Sequence, residues 1–270
     1  MKRVILMIIG VAFTLHGYAQ ADGGEHKIPK QSSPAKLANY QLSIDIKFRD
    51  LNGNLRTQNI TNAKIVQQSY KSTIDQTFQI KDVRLKEINE QGQSTRQLDE
   101  LEGLNFTILA DNFTSLDFYK NVPSGHIEKI RMIMQDVVGL EVPMMYLDSL
   151  ELNIPYYPDL FQNQQANFEQ SVSFTNQKMR ITWLGYSKIK GKDCLLIQFG
   201  SMYNPFRSED DRMITNGRSC YWANVWVFPD TRQIEYIVMH EDIVSITKLK
   251  GNEMELQNNV QREVIYEKVE

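Results

Sequence analysis

Residues Gly185–Gly200 have the sequence GYSKIKGKDCLLIQFG, which is typical of a β-hairpin. The pair Lys190-Gly191 suits the tight turn, because glycine adopts positive φ angles without steric cost. Leu195, Ile197 and Phe199 share a parity, so they point to the same face of a sheet. The hairpin is therefore predicted to be one part of a curved antiparallel sheet.

The same pattern continues on both sides of this hairpin. Tyr40–Arg49 alternates strictly between apolar and polar residues, and the chain from Ser171 onward contains six predicted strands joined by short turns. Within Phe78–Leu85 the apolar parity switches at Lys81-Asp82, which predicts a β-bulge or a bend. We predict a mostly β chain, built as a curved antiparallel sheet or an incomplete barrel.

One main helix is predicted from about Ser124 to Val138, packed against this sheet. Ser124 suits the N-cap, and Gly139 suits a left-handed C-terminal residue. Its apolar side chains recur at helical spacing, which predicts a buried stripe: Ile127, Ile130, Met134 and Val137.

The N-terminus has the features of a secretory signal peptide. Lys2 and Arg3 precede the apolar run Val4–Leu15, which is too short to cross a bilayer of about 30 Å as a helix. Small residues follow at the expected cleavage point. We predict a signal peptide over 1–19, a flexible leader over 20–38 and a single β-rich domain over 39–270.

The apolar runs and the net charge of the sequence limit the kinds of partner that this protein is expected to have. No later apolar run is long enough for a membrane helix, so no transmembrane segment is expected in the mature chain, which is predicted to be periplasmic or secreted. The formal net charge of −3 becomes −5 once Lys2 and Arg3 are removed, and this acidity argues against nucleic-acid binding.

The two cysteines, Cys194 and Cys220, allow two interpretations. In an oxidising compartment a disulfide between them is plausible, and the alternative is a pair of buried thiols. Their spacing is not that of a metal site. We expect neither a metal nor a cofactor.

Catalytic motifs are absent from the sequence. It contains no Gly-x-Ser-x-Gly elbow and no metal-binding histidine pair. His240 lies beside Glu241 and Asp242, which favours a charged strand end over an acid–base site. The densest acidic cluster, Glu209-Asp210-Asp211, favours a solvated loop. No catalytic residue is predicted, although paired carboxylates brought together by the fold remain an alternative.

Aromatic residues are the strongest candidates for a binding site. They are either ordinary sheet core or the lining of a pocket for an apolar or sugar-like ligand, and both alternatives stay open. The candidate ligand-binding residues are Trp183, Trp222, Trp226, Tyr156, Tyr157 and Phe161.

The segment Tyr186–Met239 resembles the C-terminal part of LolA/LppX-like envelope proteins, of the type found in Bacteroidetes. The resemblance depends on Lys188–Cys194, on the turn Trp226–Thr231, and on Ile234 and Tyr236. It implies a curved antiparallel sheet, closed over by a helix, with an apolar cavity for acyl chains. It implies no functional residue for this chain.

Three hypotheses about function follow. The first is a non-enzymatic envelope or secreted protein that binds a hydrophobic small molecule or lipid-like ligand. The second is a structural or partner-binding protein of the cell envelope. The third is a secreted hydrolase that uses paired carboxylates, which requires two acidic groups facing one cleft.

Overall fold

The computed structural model describes residues 27–70, 75–109, 119–159, 164–168, 172–251 and 255–269. Within these ranges one α-helix, α1, extends over Ile127–Glu141, and 3₁₀ segments cover Asp99–Leu101, Ser124–His126 and Val142–Ser149. The strands are β1 Ala38–Arg49, β2 Leu55–Tyr70, β3 Asp75–Asn89, β4 Gly92–Gln97, β5 Asn105–Leu109, β6 Tyr119–Lys120, β7 Gln164–Phe168, β8 Val172–Asn176, β9 Arg180–Ile189, β10 Lys192–Glu209, β11 Met213–Phe228, β12 Gln233–Leu249 and β13 Glu255–Val269.

These strands form one antiparallel sheet. Its order is β6-β5-β3-β2-β1-β13-β12-β11-β10-β8-β7, with β4 added to β3 and β9 added to β10. In the described part of the chain this order has two ends, at β6 and β7, so the sheet is open and not closed into a barrel. The predicted curved antiparallel sheet with one main helix is confirmed.

The first and last described strands in chain order, β1 and β13, pair with each other near the centre of the sheet, because β1 lies between β2 and β13. Tyr40, Leu42 and Ile44 on β1 are buried, as the alternating pattern predicts. The ring of Tyr40 stacks on Tyr266 of β13, with the ring centroids 4.4 Å apart. This contact joins the two ends of the chain through its core.

The parity switch in β3 is a β-bulge. Lys64 of β2 pairs with Asp82, whereas the next residue, Ile65, pairs with Ile80. Lys81 is therefore the extra residue of the bulge, at the predicted position. The bulge lets the apolar residues on both sides of Lys81 remain on one face.

The helix α1 covers one face of the sheet, which we call the core face; the opposite face is the outer face. Its apolar stripe belongs to the same buried cluster as Leu42 of β1 and Val264 of β13. Burial of this stripe supplies most of the stability of such a helix. The buried apolar residues of α1 are Ile130, Ile133, Met134, Val137 and Leu140.

Both ends of α1 differ from the prediction. Ser124 lies in a 3₁₀ turn and His126 occupies the N-cap, without a side-chain capping bond. At the other end the helix continues through Gly139 to Glu141, and a 3₁₀ segment follows. Leu140 and Val142 are buried, and burial of two such side chains outweighs the helix penalty of one glycine, which is about 1 kcal/mol.

Part of the segment assigned to the leader lies against the sheet. Ile28 is buried, and the backbone N–H groups of Ser32 and Ser33 donate hydrogen bonds to the carbonyl of Asp230, at 3.0 and 2.9 Å. Arg232 donates to the carbonyl of Pro29 at 3.1 Å. Residues 27–36 thus pack on the turn between β11 and β12.

Candidate functional site

Trp183 is a core residue. It pairs with Ile197 of β10, points to the core face and is only 2% exposed. Its indole N–H donates to the carbonyl of Gly185 at 3.0 Å, and its ring makes an edge contact with Tyr186. A buried and hydrogen-bonded indole of this kind supports the sheet and offers no surface to a ligand.

The three aromatic residues of the proline-flanked segment have different positions. Tyr156 is half-buried, its ring lies 5.4 Å from that of Tyr146, and its backbone exchanges two hydrogen bonds with Ile181. Tyr157 is exposed. Phe161 lies outside the described residues.

Trp222 and Trp226 lie on the outer face. Both are on β11, where the intervening core-face residues Ala223 and Val225 are fully buried. Trp226 packs edge-on against Tyr236, with the ring centroids 5.5 Å apart. The predicted aromatic residues therefore do not form a single pocket, because the sheet separates Trp183 from Trp222 and Trp226.

The structure does not contain a disulfide between Cys194 and Cys220. Both are free thiols, and Cys194 is buried. Leu195 pairs with Val227, whereas Cys220 lies beside Met202, so about eight residues of strand separate the cysteines along β10. A disulfide requires Cα atoms less than about 7 Å apart, which this register excludes.

A row of side chains crosses the outer face over four strands. Trp222 on β11 is opposite His240 on β12, His240 is opposite Glu263 on β13, and Glu263 is opposite Asp45 on β1. The rings of Trp222 and His240 have centroids 5.6 Å apart, and His240 Nδ1 lies 3.5 Å from Glu263 Oε2. The sequence places His240 beside Glu241 and Asp242, whereas the carboxylate nearest its Nδ1 belongs to Glu263 on the adjacent strand.

Two further side chains contact Asp45, which lies at the β1 end of this row. Lys47 Nζ lies 3.0 Å from Asp45 Oδ2, and the Gln58 amide donates to Asp45 Oδ1 at 2.8 Å. These contacts offset the repulsion between Asp45 and Glu263, which are like charges directly opposite each other on antiparallel strands.

The row lines a shallow groove with a volume of about 300 Å³. Its carboxylates outnumber its cations, because the acidic side chains that line it are Asp45, Glu241, Asp242 and Glu263, whereas the basic ones are Lys47 and Arg262. We call it the acidic groove, and its lining includes Asp45, Lys47, Trp222, His240, Asp242 and Glu263.

A β-bulge beside the groove exposes two large side chains. Met202 and Tyr203 of β10 are both opposite Cys220, because the flanking residues pair in the regular way. Asn204 is fully buried and donates a hydrogen bond to the carbonyl of Ser219 at 3.2 Å, which fixes the bulge. Met202 is 69% exposed and Tyr203 51% exposed.

Further apolar side chains extend this surface along β12. Val244 and Ile246 follow Asp242 on the outer face, and they are 47% and 38% exposed. Large exposed apolar side chains that lie together usually mark an interaction surface. We call these residues the outer apolar strip: Met202, Tyr203, Trp222, Val244 and Ile246.

A second polar cluster lies on the core face beneath α1. Arg262 of β13 makes ion pairs with Asp136 of α1 and with Glu241 of β12, and the Glu241 distance is 3.0 Å. Ser219 donates a hydrogen bond to Glu241 at 2.5 Å. Burial raises the pKa of Asp136, and Arg262 opposes this rise.

These two carboxylates do not have the arrangement of a hydrolase. Asp136 and Glu241 both face Arg262, and their side chains are 8% and 13% exposed. The hydrolase hypothesis requires acidic groups that face an open cleft. We interpret the cluster as a connection between the helix and the sheet.

Two general features of the described residues bear on function. No group of three or more His, Cys, Asp or Glu side chains in them is arranged to hold a metal ion. Among the same residues, no helix has both the length and the hydropathy needed to cross a membrane.

Comparison with known proteins finds structural neighbours of low similarity and no family. No family model matches the chain, and no curated protein matches it. A solved structure of lipovitellin, described as showing lipid–protein interactions, matches 89% of this chain and 26% of its own, with 11% identity and a TM-score of 0.45. The outer membrane protein OmpT of Vibrio cholerae matches 88% of this chain and all of its own, with 8% identity and a TM-score of 0.17. The chain thus spans about a quarter of the lipovitellin chain.

Proposed function

We propose that this chain is a non-enzymatic protein of the cell envelope or the extracellular space, and that it binds a hydrophobic or lipid-like ligand. The observation that carries the proposal is the outer apolar strip. Met202, Tyr203 and Trp222 cluster at the β10 bulge, and Val244 and Ile246 continue the same surface along β12. Removing such side chains from water stabilises a complex by about 25 cal/mol per Å².

The outer face suits a ligand better than the core face under α1. Ile130, Ile133 and Met134 of the helix are all fully buried, and they face strand residues that are equally buried. A core packed in this way leaves no room for an acyl chain unless the helix moves. The outer apolar strip needs no such movement, because its side chains already face solvent.

The N-terminal sequence supports the proposed location. The predicted signal peptide would export the chain to the compartment where the proposal places it. The resemblance of Tyr186–Met239 to LolA/LppX-like proteins implies the same class of ligand, although this chain would bind it outside the helix-covered face.

Calorimetric titration with dodecyl maltoside, kept below its micelle concentration, tests the proposal. We expect saturable binding that Val244→Ser combined with Ile246→Ser weakens at least tenfold, because both substitutions remove apolar contact. Leu51→Ser is the matched control, since Leu51 is 63% exposed in the β1–β2 turn, away from the strip. Absence of binding, or equal weakening by the control, would contradict the proposal.

A further inference from the structure

We infer that the ligand carries a cationic head group, which lies in the acidic groove while its apolar part lies on the outer apolar strip. This inference rests on the proposed function. It adds the charge of the ligand and the position of its polar end.

The groove and the strip are one continuous surface, because Trp222 belongs to both. From Trp222 the row of the groove extends across β12 and β13 to Asp45. The strip continues along β12, where Val244 and Ile246 follow Asp242 of the groove, and it includes the β10 bulge on the other side of Trp222. An elongated ligand that covers the indole would therefore have one end among carboxylates and the other among apolar side chains.

The charges of the groove favour a cation. Lys47 is already paired with Asp45 at 3.0 Å. Glu263 lies directly opposite Asp45 and 3.5 Å from His240 Nδ1, and the side chains of Glu263 and His240 are exposed. Asp242 is exposed and makes no ion pair within the described ranges. The groove thus has negative charge left to attract a positively charged group.

Trp222 supplies the second element of recognition. A cation over the face of an indole is attracted by the quadrupole of the ring, and tryptophan is the strongest side chain in this respect. Trp222 is 36% exposed and lines the groove beside His240 and Asp242. An alkylammonium group can contact the ring with its methyl groups and the carboxylates with its charge. An anionic head group would be repelled at the same position.

The test compares amphiphiles that share a twelve-carbon chain and differ in their head groups: dodecyltrimethylammonium, dodecyl maltoside and dodecyl sulfate, all below their micelle concentrations. We expect the ammonium compound to bind about tenfold more tightly than the maltoside, and the sulfate to bind most weakly. Added salt should reduce this preference, because exposed charges are screened.

Variants distinguish recognition of the ligand's head group from recognition of its twelve-carbon chain. Asp45→Asn combined with Glu263→Gln should remove most of the ammonium preference, measured as the ratio of the ammonium affinity to the maltoside affinity of the same variant. Trp222→Leu should reduce the ammonium preference as well, since leucine keeps an apolar side chain but has no ring. Glu90→Gln, in the exposed β3–β4 turn, is the matched control and should change neither affinity.

The outcomes distinguish the two proposals. Equal affinity for the three amphiphiles, together with weaker binding by Val244→Ser combined with Ile246→Ser, would overturn the inference of a cationic head group. The proposed function would then still stand. A preference for the ammonium compound that persists in Asp45→Asn combined with Glu263→Gln would also overturn this inference. If no amphiphile binds, the proposed function and this inference both fail. Far-ultraviolet circular dichroism of each variant establishes that it is folded.

Discussion

The guanidinium group of Arg262 on β13 binds the carboxylate of Asp136 on α1, and so ties the helix to the centre of the sheet. The same group binds Glu241 of the neighbouring strand at 3.0 Å. One cation therefore neutralises two acidic side chains in a largely buried place. Removal of this cation would leave both carboxylates without their partner.

We expect Arg262→Met to destabilise the protein by about 3 kcal/mol, because breaking a buried ion pair leaves an uncompensated charge. Unfolding in urea, followed by circular dichroism at pH 7, measures the change. Arg218→Met is the matched control, since Arg218 is exposed on the outer face of β11. An equal effect of both substitutions would show that the ion pairs contribute little.

Glu141 at the end of α1 makes stability depend on pH. Burial raises the pKa of this carboxyl to about 7 from the usual 4.5, although Gln76 donates a hydrogen bond that lowers it. The folded state therefore holds a proton that the unfolded chain releases, so the contribution of Glu141 is complete below pH 4.5 and is lost as the pH rises to about 7.

We expect Glu141→Gln to abolish this dependence, because the amide resembles the protonated acid. The variant should gain stability relative to the wild type between pH 5 and 8, in urea unfolding at several pH values. Glu128→Gln, at an exposed position of the same helix, should leave the pH profile unchanged. A constant difference between wild type and Glu141→Gln at all pH values would contradict the prediction.

Substitution by alanine should have opposite effects on stability at two glycines. A Cβ atom at Gly200 would lie 2.4 Å from the backbone oxygen of Tyr221, so Gly200→Ala must push β10 and β11 apart. A Cβ atom at Gly139 would meet no atom within 4 Å. We expect Gly200→Ala to destabilise by about 1–3 kcal/mol and Gly139→Ala, inside the helix, to stabilise by about 1 kcal/mol. Thermal unfolding of both variants measures these changes, and the same sign for both would contradict the close contact at Gly200 or the open space at Gly139.

The two thiols should differ in reactivity. Burial raises the pKa of Cys194 to about 11, and the residue is fully buried. Cys220 is half-buried at the outer face. With a thiol-reactive dye at pH 8 we expect one group to react in the folded protein and two after unfolding.

Substitution identifies the reactive group. Cys220→Ser should remove the fast reaction, whereas Cys194→Ser should leave it unchanged. An intact mass two units below that of the dithiol form, with no fast reaction, would instead indicate a disulfide and contradict the register of β10 and β11.

The elements that depend on local pattern could be predicted from the sequence. The alternation of Tyr40–Arg49 predicts which side chains of β1 are buried, and the parity switch at Lys81-Asp82 predicts the bulge in β3. The buried stripe of α1 could also be predicted, because its helical spacing is visible within a short stretch of sequence. The helix end at Gly139 was wrong, because burial of the residues that follow it is a tertiary effect.

The candidate site could not be predicted, because it depends on register. Asp45 and Glu263 lie far apart in the chain and meet only because β1 pairs with β13. Neither residue stands in a sequence motif that would mark it as part of a binding site. Trp183 and Trp222 both lie in predicted strands, and only the pairing of these strands decides that they occupy opposite faces. The bulge at Met202 is likewise fixed by pairing with β11 and by the buried amide of Asn204.

The pairing of β1 with β13 has a consequence for biosynthesis. Until residues 255–269 leave the ribosome, β1 and β12 each present a free edge that can template association with another chain. Contacts between such distant segments form slowly, because a long loop must close first. Completion of the sheet therefore waits for β13, and the facing edges of β1 and β12 stay unpaired until that strand is added.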